Sequence, residues 1–186
     1  MNVASRLALL ALLPLTVFAA ERPLKIDHSR SFVDVDVDAT KNFTAHLDRY
    51  DIRLTVDDAG KIKGGVFTFK FRDLKTGSEA RDTDMIKWLG GGEPEGRFEL
   101  GNLALTPDGQ GQASGRLTFH GVTERVEFPI NLAKAGDDYT ITGETTLDYR
   151  SWSLKVIRKA LLFTVSPEVK IRFKLTGAPA AAEPAK

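Results

Sequence analysis

Residues 32–38 read FVDVDVD and residues 169–175 read VKIRFKL. Both alternate between an apolar and a charged residue, so each describes a strand with one dry face and one wet face. In the first, Val33, Val35 and Val37 are dry and Asp34, Asp36 and Asp38 are wet. In the second, Val169, Ile171, Phe173 and Leu175 alternate with Lys170, Arg172 and Lys174. The rhythm is shared and the sign of charge is opposite. With an even strand count and hairpin connections, the first and last strands run antiparallel and can pair, acids beside bases. Exposed cross-strand pairs are worth only about 0.2–1 kcal/mol each, so they choose register and partner more than they stabilise. Such pairing closes a sheet into a barrel and removes its free edges.

A metal loop is the rival reading of the three aspartates. A calcium loop that begins D-x-D-x-D needs glycine at position six and glutamate at position twelve. Counted from Asp34 those positions hold Ala39 and Ala45. Along a strand, side chains of one face also stand about 6–7 Å apart, too far to wrap one ion. The three histidines, His28, His46 and His120, have no ligand spacing.

The chain between the two segments repeats the two-residue period. Leu24 to Asp38 makes a first strand, followed by YDIRLTVDD (50–58), GVFTFKFRD (65–73), RFELGNLALT (97–106), ASGRLTFHG (113–121), ERVEFPINLA (124–133), DYTITGETTLDY (138–149) and EVKIRFKLTG (168–177). Turn-forming stretches such as DDAGK, TPDGQGQ, HGVT and KAGDD separate them. Pro129 falls on the outward set, where a bulge or an edge is expected. One helix is expected, at about 82–89 between strands three and four. Asp82, Thr83 and Asp84 suit its start, Met85, Trp88 and Leu89 share one face, and Gly90 stops it. The fold class is all-β, an eight-stranded antiparallel barrel with one short helix. A barrel of this size is either filled by side chains or holds one small ligand, and periodicity does not separate the two.

Residues 1–20, with Arg6 before LALLALLPLTVFA, read as a cleavable signal peptide, which implies a periplasmic or secreted protein. Residues 21–177 form the domain, and the Pro/Ala-rich stretch 178–186 reads as a disordered tail. The chain has no cysteine, so the exported domain rests on its apolar core alone. A net charge of +1 offers no electrostatic argument for nucleic acid. There is no G-x-S-x-G elbow, phosphate loop or H-E-x-x-H, and the protein is not expected to be an enzyme. A barrel that holds a ligand, a barrel-cavity enzyme, whose site need leave no motif, and an adaptor with a solid core are the readings that stay open.

Four stretches resemble, in order, the YceI-like polyisoprenoid-binding family: KIDHSRS near the start, ARDTDMIKWL before the fourth strand, SGRLTFHGVTERVEFPINL in the middle, and YRSWSL with SPEVKIRFKLTG at the end. The resemblance covers about Leu24 to Gly177. Its most specific piece resembles a G-x-L-T-x-x-G-V-T-x-x-V hairpin. The segment after strand one, DVDVDATKNFTAHLDRYD, is longer and more acidic than the family pattern. The resemblance implies a lipocalin-like barrel that holds a long isoprenoid or fatty chain, with apolar ligand contacts, no catalytic residues and no cofactor beyond a bound isoprenoid lipid.

The candidate ligand-binding residues follow. Phe67, Phe69, Phe71, Phe119 and Phe128 lie on dry faces and are core or ligand contacts. Met85, Trp88 and Leu89 either line the ligand or plug the core. Arg81 and Asp82 could steady a polar head group at the barrel mouth, or cap the helix. Arg150 and Trp152 could place a cation and an indole near the pocket, or stack on one another. LKVIRKALLF (154–163) mixes apolar and basic residues and could make transient contact with a membrane surface, or form a solvated loop. A homodimer is among the assemblies the sequence allows.

Overall fold

The computed structural model describes residues 21–159 and 163–181. The expected signal peptide, the middle of the 154–163 stretch and the end of the expected tail therefore lie outside the described residues. The described strands are β1 (Arg22–Ile26), β2 (Phe32–Ala39), β3 (Phe43–Leu47), β4 (Tyr50–Val56), β5 (Ile62–Lys70), β6 (Leu74–Lys75), β7 (Glu95–Leu105), β8 (Gln110–Phe119), β9 (Val122–Ala135), β10 (Asp138–Asp148), β11 (Arg158–Lys159) and β12 (Phe163–Pro179). Among the described residues one α-helix, α1 (Glu79–Trp88), covers the expected 82–89 stretch but lies between β6 and β7 in chain order rather than between strands three and four.

The expected eight strands are present because three of them are broken. β1 and β2 lie end to end along one edge of β12, β3 and β4 lie along them, and β5 with β6 lies along those. Each break has a local cause. Between β1 and β2, the Asp27 carboxylate accepts from the Ser29 backbone N–H at 2.9 Å and from Arg30 Nε at 2.8 Å, shaping a 3₁₀ turn. The other two breaks face each other. Asp73, 7 % exposed, accepts from Arg49 Nε at 3.0 Å and Nη2 at 2.7 Å, while its carbonyl accepts from the Asp48 N–H at 2.9 Å. Neighbouring strands therefore bend together.

The first and last strands pair, and the sheet closes into an antiparallel barrel. Asp34 stands opposite Arg172, Asp36 opposite Lys170, and Leu24 opposite Pro179. β12 thus runs on into the stretch read as tail. The charge ladder is narrower than its sequence suggests. Arg172 bridges both acids, with Nε to Asp36 Oδ2 at 2.6 Å and Nη2 to Asp34 Oδ2 at 3.5 Å. Lys170 turns the other way, to Glu144 of β10 at 2.9 Å. The Arg172 guanidinium, with help from the Thr44 hydroxyl, holds the Asp36 carboxyl down at about 2.

Pro129 has a definite consequence. The β9–β10 ladder stops at Ile130 opposite Gly143, next to the residue that has no N–H to offer. Beyond it the turn Tyr149–Trp152 fills the seam. Trp152, 2 % exposed, donates Nε1–H to the Leu117 carbonyl at 3.0 Å and stacks on Phe119 at 4.6 Å.

The two ends of the barrel differ. The end carrying the β4–β5, β7–β8 and β9–β10 turns is closed by a buried cluster that includes Leu24, Leu54, Val56, Tyr139, Ile141 and Leu175. Tyr139, 1 % exposed, donates its hydroxyl to the Gly60 carbonyl at 3.0 Å. The other end is crossed by α1.

Candidate functional site

Alternation puts one apolar residue in every two toward the barrel axis, and here those residues leave a space unfilled. A cavity of about 580 Å³ runs from Ile62 and Leu103, near the closed end, to Trp88 under α1. This lies within the ~300–1,000 Å³ range of small-molecule sites. Its wall includes a run of ring contacts, Phe67–Phe69 at 5.5 Å, Phe69–Phe71 at 5.0 Å and Phe71–Phe119 at 5.5 Å, and Tyr50 backs Phe67 at 5.4 Å from outside the lining. Across the cavity Phe128 meets Phe98 at 5.7 Å and Phe173 at 5.8 Å.

Glycines make room for this wall. A Cβ on Gly96 would lie 2.3 Å from the Phe69 ring, one on Gly115 2.5 Å from Phe98, and one on Gly143 2.6 Å from Phe173. Each of these rings lies over a glycine of the adjacent strand, so that it packs flat against backbone.

Helix α1 rests on the wall's upper rim. Trp88 packs edge-on against Tyr149 at 5.0 Å and donates Nε1–H to the Lys155 carbonyl at 2.9 Å, which ties the helix to the segment leading into β11. The Thr76 N–H and hydroxyl donate to Asp82 Oδ1 at 3.0 and 2.6 Å and hold the helix start. Gly90, Gly91 and Gly92 all take positive φ as the chain leaves the helix.

Among the described lining residues, the ones that carry charge are Arg81, Asp84 and Arg158, all supplied by α1 and β11. Arg81 is half-buried, with its guanidinium 4.0 Å above the centre of the Phe43 ring and Nη1 donating to the Thr76 carbonyl at 3.3 Å. Asp84 and Arg158 line the cavity and are exposed, so the cavity reaches solvent at this end.

Of the residues singled out in the sequence, Phe67, Phe69, Phe71, Arg81, Met85, Trp88, Leu89, Phe119, Phe128 and Trp152 line the cavity. Two do not. Asp82 faces away and caps the loop at Thr76. Arg150 pairs with Asp148, Nη2 to Oδ2 at 2.5 Å, while Trp152 stacks on Phe119. The three side-chain contacts between Arg150 and Asp148 raise the pKa of the guanidinium and lower that of the carboxyl. The histidines go to separate places: His28 against Tyr50, His46 on Asp34 at 2.8 Å, and His120 on the Trp152 carbonyl at 3.0 Å.

Sequence reasoning did not single out Phe98 and Phe173, although the same alternation marks both as inward. It also missed Phe43, which follows a turn, and Arg158, which stands in a stretch with no period at all.

A search of curated proteins finds no match. Among solved structures, the barrel is similar to that of Burkholderia cenocepacia BcnA, with a TM-score of 0.68 at 16 % identity over 82 % of this chain and 99 % of that one. It is also similar to the YCEI protein of Campylobacter jejuni, with a TM-score of 0.60 at 16 % identity over 76 % of this chain and 87 % of that one. At such identities the likeness is one of fold. The family model described as the YceI-like domain matches residues 24–177. The chain therefore belongs to the YceI-like domain family, and its cavity is the interior of that family's barrel.

Proposed function

We propose that this protein is an exported carrier that holds a long apolar chain, isoprenoid or fatty, in the barrel interior for transport, storage or sequestration. The observation that carries this reading is the cavity itself: about 580 Å³, elongated, walled by aromatic and aliphatic side chains, and charged only at one end among its described residues. Burying one CH₂ is worth about 0.8 kcal/mol, so a five-carbon isoprene unit contributes up to ~3–4 kcal/mol. A few units in a dry channel outweigh the cost of association without any fixed hydrogen bond. Selectivity among chains is weak on the same grounds, since a methylene discriminates poorly. The leader-like residues 1–20 support export. Lys155 and Arg158, beside the open end, suit transient contact with an anionic membrane during loading.

Binding is favoured over catalysis because the described lining offers a single carboxylate, Asp84, and no histidine, so no acid–base pair faces the interior. The test is direct. The mature protein is purified from the cells that export it, extracted with organic solvent, and the extract is analysed by mass spectrometry. A stoichiometric long-chain lipid is expected. A clean extract, together with no uptake of added lipid, refutes the carrier reading.

A further inference from the structure

We infer that the α1 end of the cavity is an anion site, so that the guest is an amphiphile whose apolar chain ends in a carboxylate or phosphate. This rests on the carrier reading and adds the head group to it. The argument starts from Arg81. Its guanidinium borders a dry channel, fixed from one side by the Phe43 ring at 4.0 Å and on one N–H by the Thr76 carbonyl at 3.3 Å. Arginine has no acceptor and several donors in one plane, and the donors left over meet no carboxylate among the described residues. A charge held beside apolar surface without a counter-ion is an expensive arrangement. Arg172, at comparable depth, is by contrast paired with Asp34 and Asp36.

Arg158 adds a second cation at the same end, also without a described carboxylate partner. Asp84 lines this end as well and is already engaged. Two guanidinium groups against one occupied carboxylate leave the end positive. A planar arginine fork matches a carboxylate or phosphate through paired N–H···O bonds. A neutral hydroxyl or amide accepts fewer such bonds and carries no charge to meet.

The chain's two tryptophans, Trp88 and Trp152, both line the cavity, so intrinsic fluorescence reports its occupancy. The delipidated full-length mature protein is titrated with dodecanoate, dodecyl phosphate and dodecanol, which share one apolar chain. At least one of the anions is expected to bind about tenfold or more tightly than the alcohol, as charged hydrogen bonds allow. Whichever anion shows the larger preference is the head-group class. Arg81→Gln collapses the ratio of anion to dodecanol affinity to near one, and Arg158→Gln, an exposed position that does not threaten folding, lowers it. Equal binding of all three probes overturns the anion site and leaves the carrier reading standing. Binding of none of them overturns both.

Discussion

Asp36 shows how much and how little a single residue tells in advance. Its alternation with valine marks it as outward on a strand, and the basic strand at the other end of the chain marks its partner. Which base would answer it was not legible, because Lys170 and Arg172 both sit in register and side-chain length and direction decide between them. The arginine fork takes both Asp34 and Asp36, and Lys170 goes to Glu144. The pairing has a pH signature. Arg172 and Thr44 hold the Asp36 carboxyl at about 2 in the folded chain, below an unfolded value near ~3.9. A depressed folded value means stability that is present above pH ~4 and lost as pH falls through 2. Asp36→Asn is therefore expected to melt below the wild type at neutral pH, with the gap closing between pH 4 and 2, as followed by circular dichroism. A gap that persists at pH 2 would show that the aspartate acts through packing alone. The same limit of foresight applies to Arg81 and Asp82. Neighbours on a helix point about 100° apart, and the bonds from Thr76 hold Asp82 away from the channel that Arg81 lines.

Strand periodicity also made the elements legible, and the three breaks were hidden for the same reason. Asp27, Arg49 and Asp73 act through hydrogen bonds that the period-two pattern does not encode. The glycine partners of the aromatic wall were equally hidden. Alternation shows that Phe69 faces inward, but only the register with β7 shows that Gly96 lies opposite it. That juxtaposition predicts an asymmetry between two glycines of one strand. Gly96→Ala sets a methyl 2.3 Å from the Phe69 ring and forces the ring off its rotamer, at a cost of about 1–3 kcal/mol. Gly101→Ala places its methyl 3.5 Å from the nearest atom, an ordinary contact, and is expected to be close to neutral. Urea unfolding of the two variants beside the wild type measures both. Equal losses would mean that the ring-over-glycine contact is not what shapes the wall.

At the scale of the whole molecule, a filled barrel and a hollow one have the same sequence pattern, since periodicity reports which face is dry and not how much volume the dry side chains occupy. The structure divides the answer along the axis. The end at Tyr139 is closed by a buried cluster, and the end crossed by α1 is not. The short helix fits this division: none of its residues is fully buried, so it spans the opening without plugging it, and Leu89 just beyond it reaches the core. Ala45 separates the two states experimentally. It is 2 % exposed and lines the cavity, so Ala45→Phe places a ring in the space a guest would use. In a solid core the same change overpacks and costs about 1–3 kcal/mol. In a hollow one it fills space and stabilises by roughly 0.5–2 kcal/mol, while the guest is excluded. The expected outcome is an unfolding free energy equal to or above that of the wild type, together with loss of the co-purifying lipid. A destabilised variant that still carries its lipid would contradict the position of the cavity, because the ring and the guest would then not compete for the same volume.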